Sequence, residues 1–345
     1  MFECSAVHPA SVIRGSALAA KPRPRISQGQ LQGFKYFSLV TPLLEPLRDV
    51  ATERDHAGNR QFFCDQYVGL LLIYFFNSIV TSLHGIQQLS ELEKVQELLG
   101  IRHVALGSLS EAAHVFDAAV LHKVLAELAV RALPLQTGRE AEALRGLTAV
   151  DGSILPALPR MVWALWQDDQ HRGVKLHLHF DVLAAVPADA TLTPAACSEP
   201  DQLAAMLKPQ RLYVVDRGYA CFELFREILD AGSSFVARVK DSTVFTVKEE
   251  RPLSAEAKAA GVVRDVVIAK LGTAHHKDYL RQPVRLVVVQ RIRLDGSVEQ
   301  LWLVTDKLDL DADLVALAYK YRWTVEVYHL DYRSSTELYV EPLAA

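Results

Sequence analysis

LTAVDGSIL at residues 147–155 and RLYVVDRGYA at residues 211–220 are both short apolar, β-branched runs that close on an aspartate with a glycine one or two positions later. Runs of this length, bounded by turn-forming residues, read as strands. In each, the glycine lets the backbone turn away and leaves the carboxylate, Asp151 or Asp216, at the edge of a sheet. Further strand candidates lie around them, at GVKLHLHFDV (173–182), ADATLTPA (188–195) and SSFVARVK (233–240). Two helical patterns, EPDQLAAMLK (199–208) and CFELFREILDAG (221–232), fall between strand candidates as crossover helices do. From residue 146 onward the chain is therefore expected to be α/β.

The stretch from about Phe37 to Leu144 has a different character. Apolar residues return every three or four positions through PLLEPLRDVA, QYVGLLLIYFFNSI, GIQQLSELEKVQELLG and SEAAHVFDAAVLHKVLAELAVRAL. Gly100 predicts a helix stop, and Ser110 before Glu111 a helix start. Residues 31–145 are thus an expected all-α domain, preceded by a Pro-, Ser- and Arg-rich tail at 1–30 whose composition suits disorder. Between residues 241 and 306 the runs VFTVKEE, GVVRDVVIAKL, VRLVVVQRIRL and EQLWLVT predict an antiparallel β-rich insertion. A final helix follows in DADLVALAYKYRWTVEVYHL (311–330), with Asp311 or Asp313 as its cap.

Composition narrows the classes. Half of the 345 residues are hydrophobic and the formal charge is −4, so a sizeable core is available and no strongly basic balance advertises nucleic acid. Basic residues do concentrate in the first 60, including Arg14, Lys21, Arg23, Arg25 and Arg48. The longest apolar run, Tyr67 to Val80, contains Asn77 and Ser78 and falls short of the roughly 20 residues a bilayer requires, which predicts a buried helix and no membrane partner. Cys4, Cys64, Cys197 and Cys221 form no CxxC pair, which suits a reducing cytoplasm.

Chemistry concentrates in three acidic residues. Either aspartate alone could simply cap a loop. Two carboxylates at neighbouring strand ends attract a hard cation, since oxygen ligands suit Mg²⁺ and the ion removes their repulsion. On the last helix Tyr319, Arg322, Glu326 and Arg333 recur at i, i+3, i+7 and i+14, within roughly 60° of one another. Trp323, Val327 and Leu330 are expected on the opposite side. An acid, two guanidiniums and a phenol on one stripe suit metal plus phosphate, although a polar stripe can also be a solvated face. Arg217, beside Asp216, is a further phosphate candidate.

These residues resemble a known family. Y-x2-R-x3-E-x6-R in YKYRWTVEVYHLDYR (319–333) is similar to the Y-x2-R-x3-E-x6-K signature of DDE transposases from bacterial insertion sequences of the insertion-sequence-4 type. VDGS and VVDRGY with the following FVARVK resemble the blocks bearing that family's first two aspartates, and the likeness runs from about Phe62 to Arg333. Arg333 stands where the family has Lys, and the chain closes on DYRSSTELYVEPLAA instead of a longer helix, which implies a C-terminal truncation with an atypical tail at 334–345. The resemblance implies a ribonuclease-H-like core, 146–240 and 307–333, behind a helical domain that binds DNA. It implies Asp151, Asp216 and Glu326 as catalytic carboxylates holding two Mg²⁺ or Mn²⁺ ions, with Tyr319, Arg322, Arg333 and Arg217 at phosphates. The implied reaction is strand cleavage and transfer at the inverted repeats of the element, into target DNA, by a homodimer at the bacterial nucleoid.

Two alternatives stay open on the residues alone. Lys175, His177, His179 and Asp181 alternate along one strand face, and two imidazoles with a carboxylate suit zinc, as in a metal-dependent hydrolase. A chain of this ancestry could also be an inactive remnant that only binds DNA or a partner.

Overall fold

Apolar spacing explains the helices of the first of two units, residues 1–116. The computed structural model describes residues 25–50, 52, 58–135, 137–156, 173–272, 280, 282–293 and 295–326. Within the first unit these form α1 (Phe34–Leu44), α2 (Cys64–Phe75), α3 (Leu83–Leu89), α4 (Glu93–Leu99) and α5 (Leu106–Val115). The apolar run predicted as a buried helix is helical only to Phe75, in α2, and is buried only in part, since Phe75, Phe76 and Ile79 at its end are exposed; past the helix, buried Asn77 bonds back to the Ile73 carbonyl at 2.8 Å. No helix of the described residues is long and apolar enough to cross a membrane. Gly100, in left-handed backbone, stops α4 as expected. Ser110 does not start a helix: α5 begins four residues earlier, because Leu109 as well as Ala112 is drawn into the core. Residues 25–30, grouped with the tail by composition, include a 3-10 turn, and the Ile26 amide donates to Gln88 Oε1 at 3.0 Å.

The second unit, residues 117–345, begins some thirty residues before the change in sequence pattern. It takes in α6 (Leu121–Arg131) and α7 (Arg139–Ala143), and α6 packs on a strand of the sheet. The remaining elements are β1 (Leu147–Pro156), β2 (Gly173–Asp181), β3 (Val186–Pro194), α8 (Glu199–Ala205), β4 (Leu212–Val215), α9 (Phe222–Asp230), β5 (Ser234–Val239), β6 (Phe245–Glu250), α10 (Ala255–Ala259), β7 (Val262–Leu271), β8 (Val284–Ile292), β9 (Val298–Thr305) and α11 (Ala312–Tyr321). The strand packed by α6 is β3.

The nine strands of the described residues lie in one sheet, in the order β3-β2-β1-β4-β5-β9-β8-β7-β6. The pairs β1–β4 and β4–β5 are parallel, joined in the latter case through α9, and the others are antiparallel. The region expected as a β-rich insertion, residues 241–306, is antiparallel and hydrogen-bonded to the sheet, as β9 pairs with β5 from Val236↔Thr305 to Val239↔Trp302.

Side-chain alternation sorts the two faces. Leu147, Ala149, Leu212, Val214 and Val236 pack under α11 with Leu314, Val315, Ala318 and Tyr319. Val150, Tyr213, Val215, Phe235 and Ala237 pack on the other face against Leu203 of α8 and Leu224, Phe225 and Ile228 of α9. There Phe225 and Phe235 stack at 4.4 Å, a pairing worth about 0.5–1.5 kcal/mol beyond burial. The start of α11 is fixed from the sheet. Arg285 on β8, 3% exposed, bonds both oxygens of buried Asp265 on β7 at 2.7 and 2.6 Å, and its third nitrogen donates to the Leu310 carbonyl. Asp311 is the N-cap residue, without a side-chain cap bond; its carboxylate accepts instead from Arg139 at 2.7 Å.

Candidate active site

Parity along the strands brings the first two acids to the α11 face. Leu147 and Ala149 point there, so Asp151 does too, and Asp216 continues the alternation of Leu212 and Val214. Asp216 follows directly on β4 and precedes a 3-10 turn at Arg217–Tyr219, at the carboxyl ends of parallel strands where α/β proteins place their chemistry. Asp151 is not at a strand terminus. Its parallel partner β4 is left behind after Ala149↔Val214, while pairing with β2 continues through Asp151↔Leu178 to Pro156↔Gly173. Gly152 accordingly makes no turn. A Cβ there would meet the Glu199 carboxylate at 2.9 Å, so glycine is required for close approach of that side chain.

The third acid comes from beyond α11. The helix stops at Tyr321, Arg322 forms a turn, and helical backbone resumes over 323–326. The amides of Arg322 and Val325 reach back only three residues, to Tyr319 and Arg322, which tightens the coil. The expected stripe is thereby turned inward at Arg322, which is 3% exposed, whereas Trp323, expected to cover the apolar side, is 44% exposed. Val325 takes the core position. Val327, Leu330 and Arg333 lie outside the described residues.

The described members of the set interlock. The Tyr319 hydroxyl donates to Asp216 Oδ1 at 2.8 Å, and Arg322 Nη1 pairs with Glu326 Oε1 at 2.6 Å. The Arg322 guanidinium lies over the Tyr319 and Trp323 rings, 5.6 and 5.0 Å from their centroids. Burial would raise the Asp216 carboxyl, but the Arg217 amide, the Tyr319 hydroxyl and the charges of Arg322 and Arg238 outweigh it and hold Asp216 below the usual range. Asp151 goes the other way, pushed up to about 6 by burial and then by the charges of Glu326 and Glu199, against Arg322 and the Gly152 amide. Two carboxylates on one face of the sheet are thus shifted in opposite directions.

Two participants were missed in the sequence. Tyr219, 2% exposed, has a hydroxyl without a hydrogen-bond partner, and burial, then the charges of Glu199, Asp151 and Asp216, push its pKa up against Arg322 and keep the phenol protonated. It stands inside the VVDRGY block, so its place in the motif was the available signal. Glu199 opens α8, crosses Gly152 and pairs with Lys175 Nζ at 3.1 Å. Only the helical periodicity after Glu199 was legible there.

The proposed zinc face does not assemble. Lys175 is engaged by Glu199 and the Cys197 carbonyl, His177 Nε2 lies 2.8 Å from Thr193 Oγ1, and Asp181 pairs with Arg211 at 2.8 Å. His179 packs edge-on against Tyr213 with its Nε2 buried and unpartnered. Alternation put these residues on one face, but that face is a buried layer where each group takes its own neighbour. Burial, foremost, holds the His179 imidazole down at about 4. Because that value is below the ordinary one near 6.5, the unfolded chain binds a proton that the folded chain refuses, and stability falls as pH drops from about 6.5 towards 4. A His179→Phe chain should lose about 2 kcal/mol less than the parent between pH 7 and pH 4.5 in urea unfolding; equal losses would remove this account of the imidazole.

Among the described residues, no three His, Cys, Asp or Glu side chains stand together closely enough to hold a metal ion. The donor set nevertheless fits a hard divalent cation in kind. It consists of carboxylates, and the Glu326 charge that lifts Asp151 is the repulsion a cation relieves.

A family model described as a transposase DDE domain matches residues 142–330, more than half of the chain. The chain belongs to this DDE transposase family. The match spans Asp151, Asp216, Tyr319, Arg322 and Glu326 and stops before Arg333. Among relatives of the DDE chain is the "Probable transposase for insertion sequence element IS5377" of Geobacillus stearothermophilus, 24% identical over 258 residues that make up 74% of this chain and 65% of the relative. Another is "Putative transposase y4zB" of Sinorhizobium fredii, 27% identical over 197 residues, 56% of this chain and 53% of the relative. The DDE chain therefore spans less than two thirds of the length of either. A solved piggyBac transposase synaptic complex with hairpin DNA aligns at a TM-score of 0.42 and 9% identity, over 88% of this chain and 69% of that one.

Proposed function

We propose that this DDE chain is an insertion-sequence transposase of the insertion-sequence-4 type, whose ribonuclease-H-like core cleaves DNA at the element's ends and transfers the strand to a target. The observation that carries the reading is the shared α11 face of Asp151 and Asp216 with Glu326 close enough to repel Asp151. Asp151, Asp216 and Glu326 would hold two Mg²⁺ or Mn²⁺ ions, which when bound supply activation of the attacking water or 3′-hydroxyl and stabilise the leaving oxygen. The chain's own residues prepare that site. Tyr319 fixes the rotamer of Asp216 through its hydroxyl, and Arg322 holds Glu326 until a ligand or phosphate competes for it. Arg217, exposed beside Asp216, is free to approach a phosphodiester near the scissile bond.

The helical region ahead of the sheet is assigned to gripping the element's ends, and joining two ends calls for two copies of the chain. The test is nicking of end-containing DNA with Mg²⁺, comparing the parent with Asp216→Asn. The variant is expected to lose about 10³-fold in rate, the scale of losing a preorganised charge-stabilising group. If neither chain nicks, the cleavage reading fails; if both nick equally, the role of Asp216 fails.

A further inference from the structure

Next to Asp216 runs an open groove of about 760 Å³, lined by Arg217, Arg238, Lys240 and Arg293 against only Asp241 and Glu299 among charged groups. Its floor is built by an unusual convergence. Glu299 on β9 is bonded by Arg238 of β5 at 2.9 Å, by Arg291 of β8 at 2.6 Å and by Arg293, just past β8, at 2.9 Å. Three guanidiniums crowded on one carboxylate leave a surplus of positive charge. Matched pairs would serve stability better, since like charges at this range repel. Each guanidinium, once oriented by Glu299, keeps N–H groups that a second anion can take. The groove is continuous with the site, because Arg238 Nη1 also stands 4.0 Å from Asp216 Oδ1 and Arg217 follows Asp216 directly.

We propose that this groove is a clamp for consecutive phosphates of the DNA strand leaving the carboxylates, with Glu299 as the positioning residue that turns Arg238 and Arg293 towards the backbone while Arg291 braces it from behind. The clamp deepens the transposase reading and rests on it for the identity of the strand. Its cationic donors, guanidiniums and an ammonium, suit phosphates, which carry no sequence information, so a random-sequence duplex engages it. Lys240 and Arg293 lie at the solvent side of the groove and carry no core contacts, so removing them leaves the fold intact.

The test measures binding of a random-sequence DNA duplex by fluorescence anisotropy across a salt series, in chelator, so that no strand is cut. A Lys240→Ala/Arg293→Ala chain is compared with the parent and with Arg264→Ala, an exposed arginine elsewhere on the sheet that pairs with Glu250. Each lost phosphate contact should reduce the slope of log affinity on log salt by about 0.9, so the double variant should lose about 1.8 and bind about tenfold more weakly at low salt. Arg264→Ala should match the parent. A double variant that keeps the parental slope, or changes no more than Arg264→Ala, overturns the clamp. Nicking of end DNA by the parent with Mg²⁺ is read separately. Loss of slope without any nicking leaves the clamp standing and removes the cleavage reading, whereas nicking with an unchanged slope does the reverse.

Discussion

An Asp151→Asn chain is expected to be both inactive and more stable than the parent in metal-free buffer near neutral pH. The parent buries a carboxylate that is held up at about 6 by burial and by the neighbouring charges of Glu326 and Glu199. A raised carboxyl value means that the ionised form is costly in the folded chain, and the cost is present above that value and relieved as pH falls through it. Replacing the acid by a neutral amide of the same shape should return about 1–3 kcal/mol at pH 7, read as an upward shift in thermal midpoint. Divalent cation should then separate the two chains. At about 100 times its dissociation constant an ion that binds only the folded state adds about 2.7 kcal/mol; the parent should gain stability in this way and Asp151→Asn little or none. Equal gains would show that the ion is held elsewhere. An unchanged midpoint in chelator would show that Asp151 bears no such cost.

Arg285→Met should be the most damaging substitution outside the site, at about 3–5 kcal/mol, because it strands the Asp265 carboxylate in the core beneath the sheet. The double change Arg285→Met with Asp265→Leu should recover most of the loss, since apolar replacement of a buried pair is often neutral. The pair nevertheless has a second task. The third nitrogen of Arg285 holds the Leu310 carbonyl at the entrance to α11, and α11 delivers Tyr319 to Asp216. The double variant should therefore melt near the parent yet nick DNA more slowly. Full recovery of both properties would make the tie to Leu310 incidental.

The strands bearing Asp151 and Asp216 were legible because β-branched runs ending on Asp-Gly and Asp-Arg-Gly leave little else to form, and the helical character of residues 34–115 followed from apolar spacing. What escaped was set by pairing and not by local pattern. Nothing in LTAVDGSIL says that β1 loses β4 at Ala149 yet keeps β2 to Pro156, so Asp151 was read as terminal. The break at Arg322 escaped because helical spacing assumes regular backbone, while a buried guanidinium with Glu326 on one side and two rings on the other pulls the turn inward. Glu199 and the Arg238–Glu299 contact join residues 47 and 61 positions or so from their partners across the sheet, a separation no motif encodes. The histidine strand failed for a related reason, since alternation identifies a face but not whether that face is filled.

The join of β5 to β9 has a mechanical consequence. A pull on the arginine-bearing hairpin would load four paired residues, Val236 to Val239 against Thr305 to Trp302, in shear along their hydrogen bonds. Shear along a ladder is resisted by every rung at once, whereas a flexible tether would simply unreel. Tension in a bound strand would thus be handed stiffly to the backbone that precedes Asp216 by one neighbouring strand, so the sheet can act as a strut between load and chemistry.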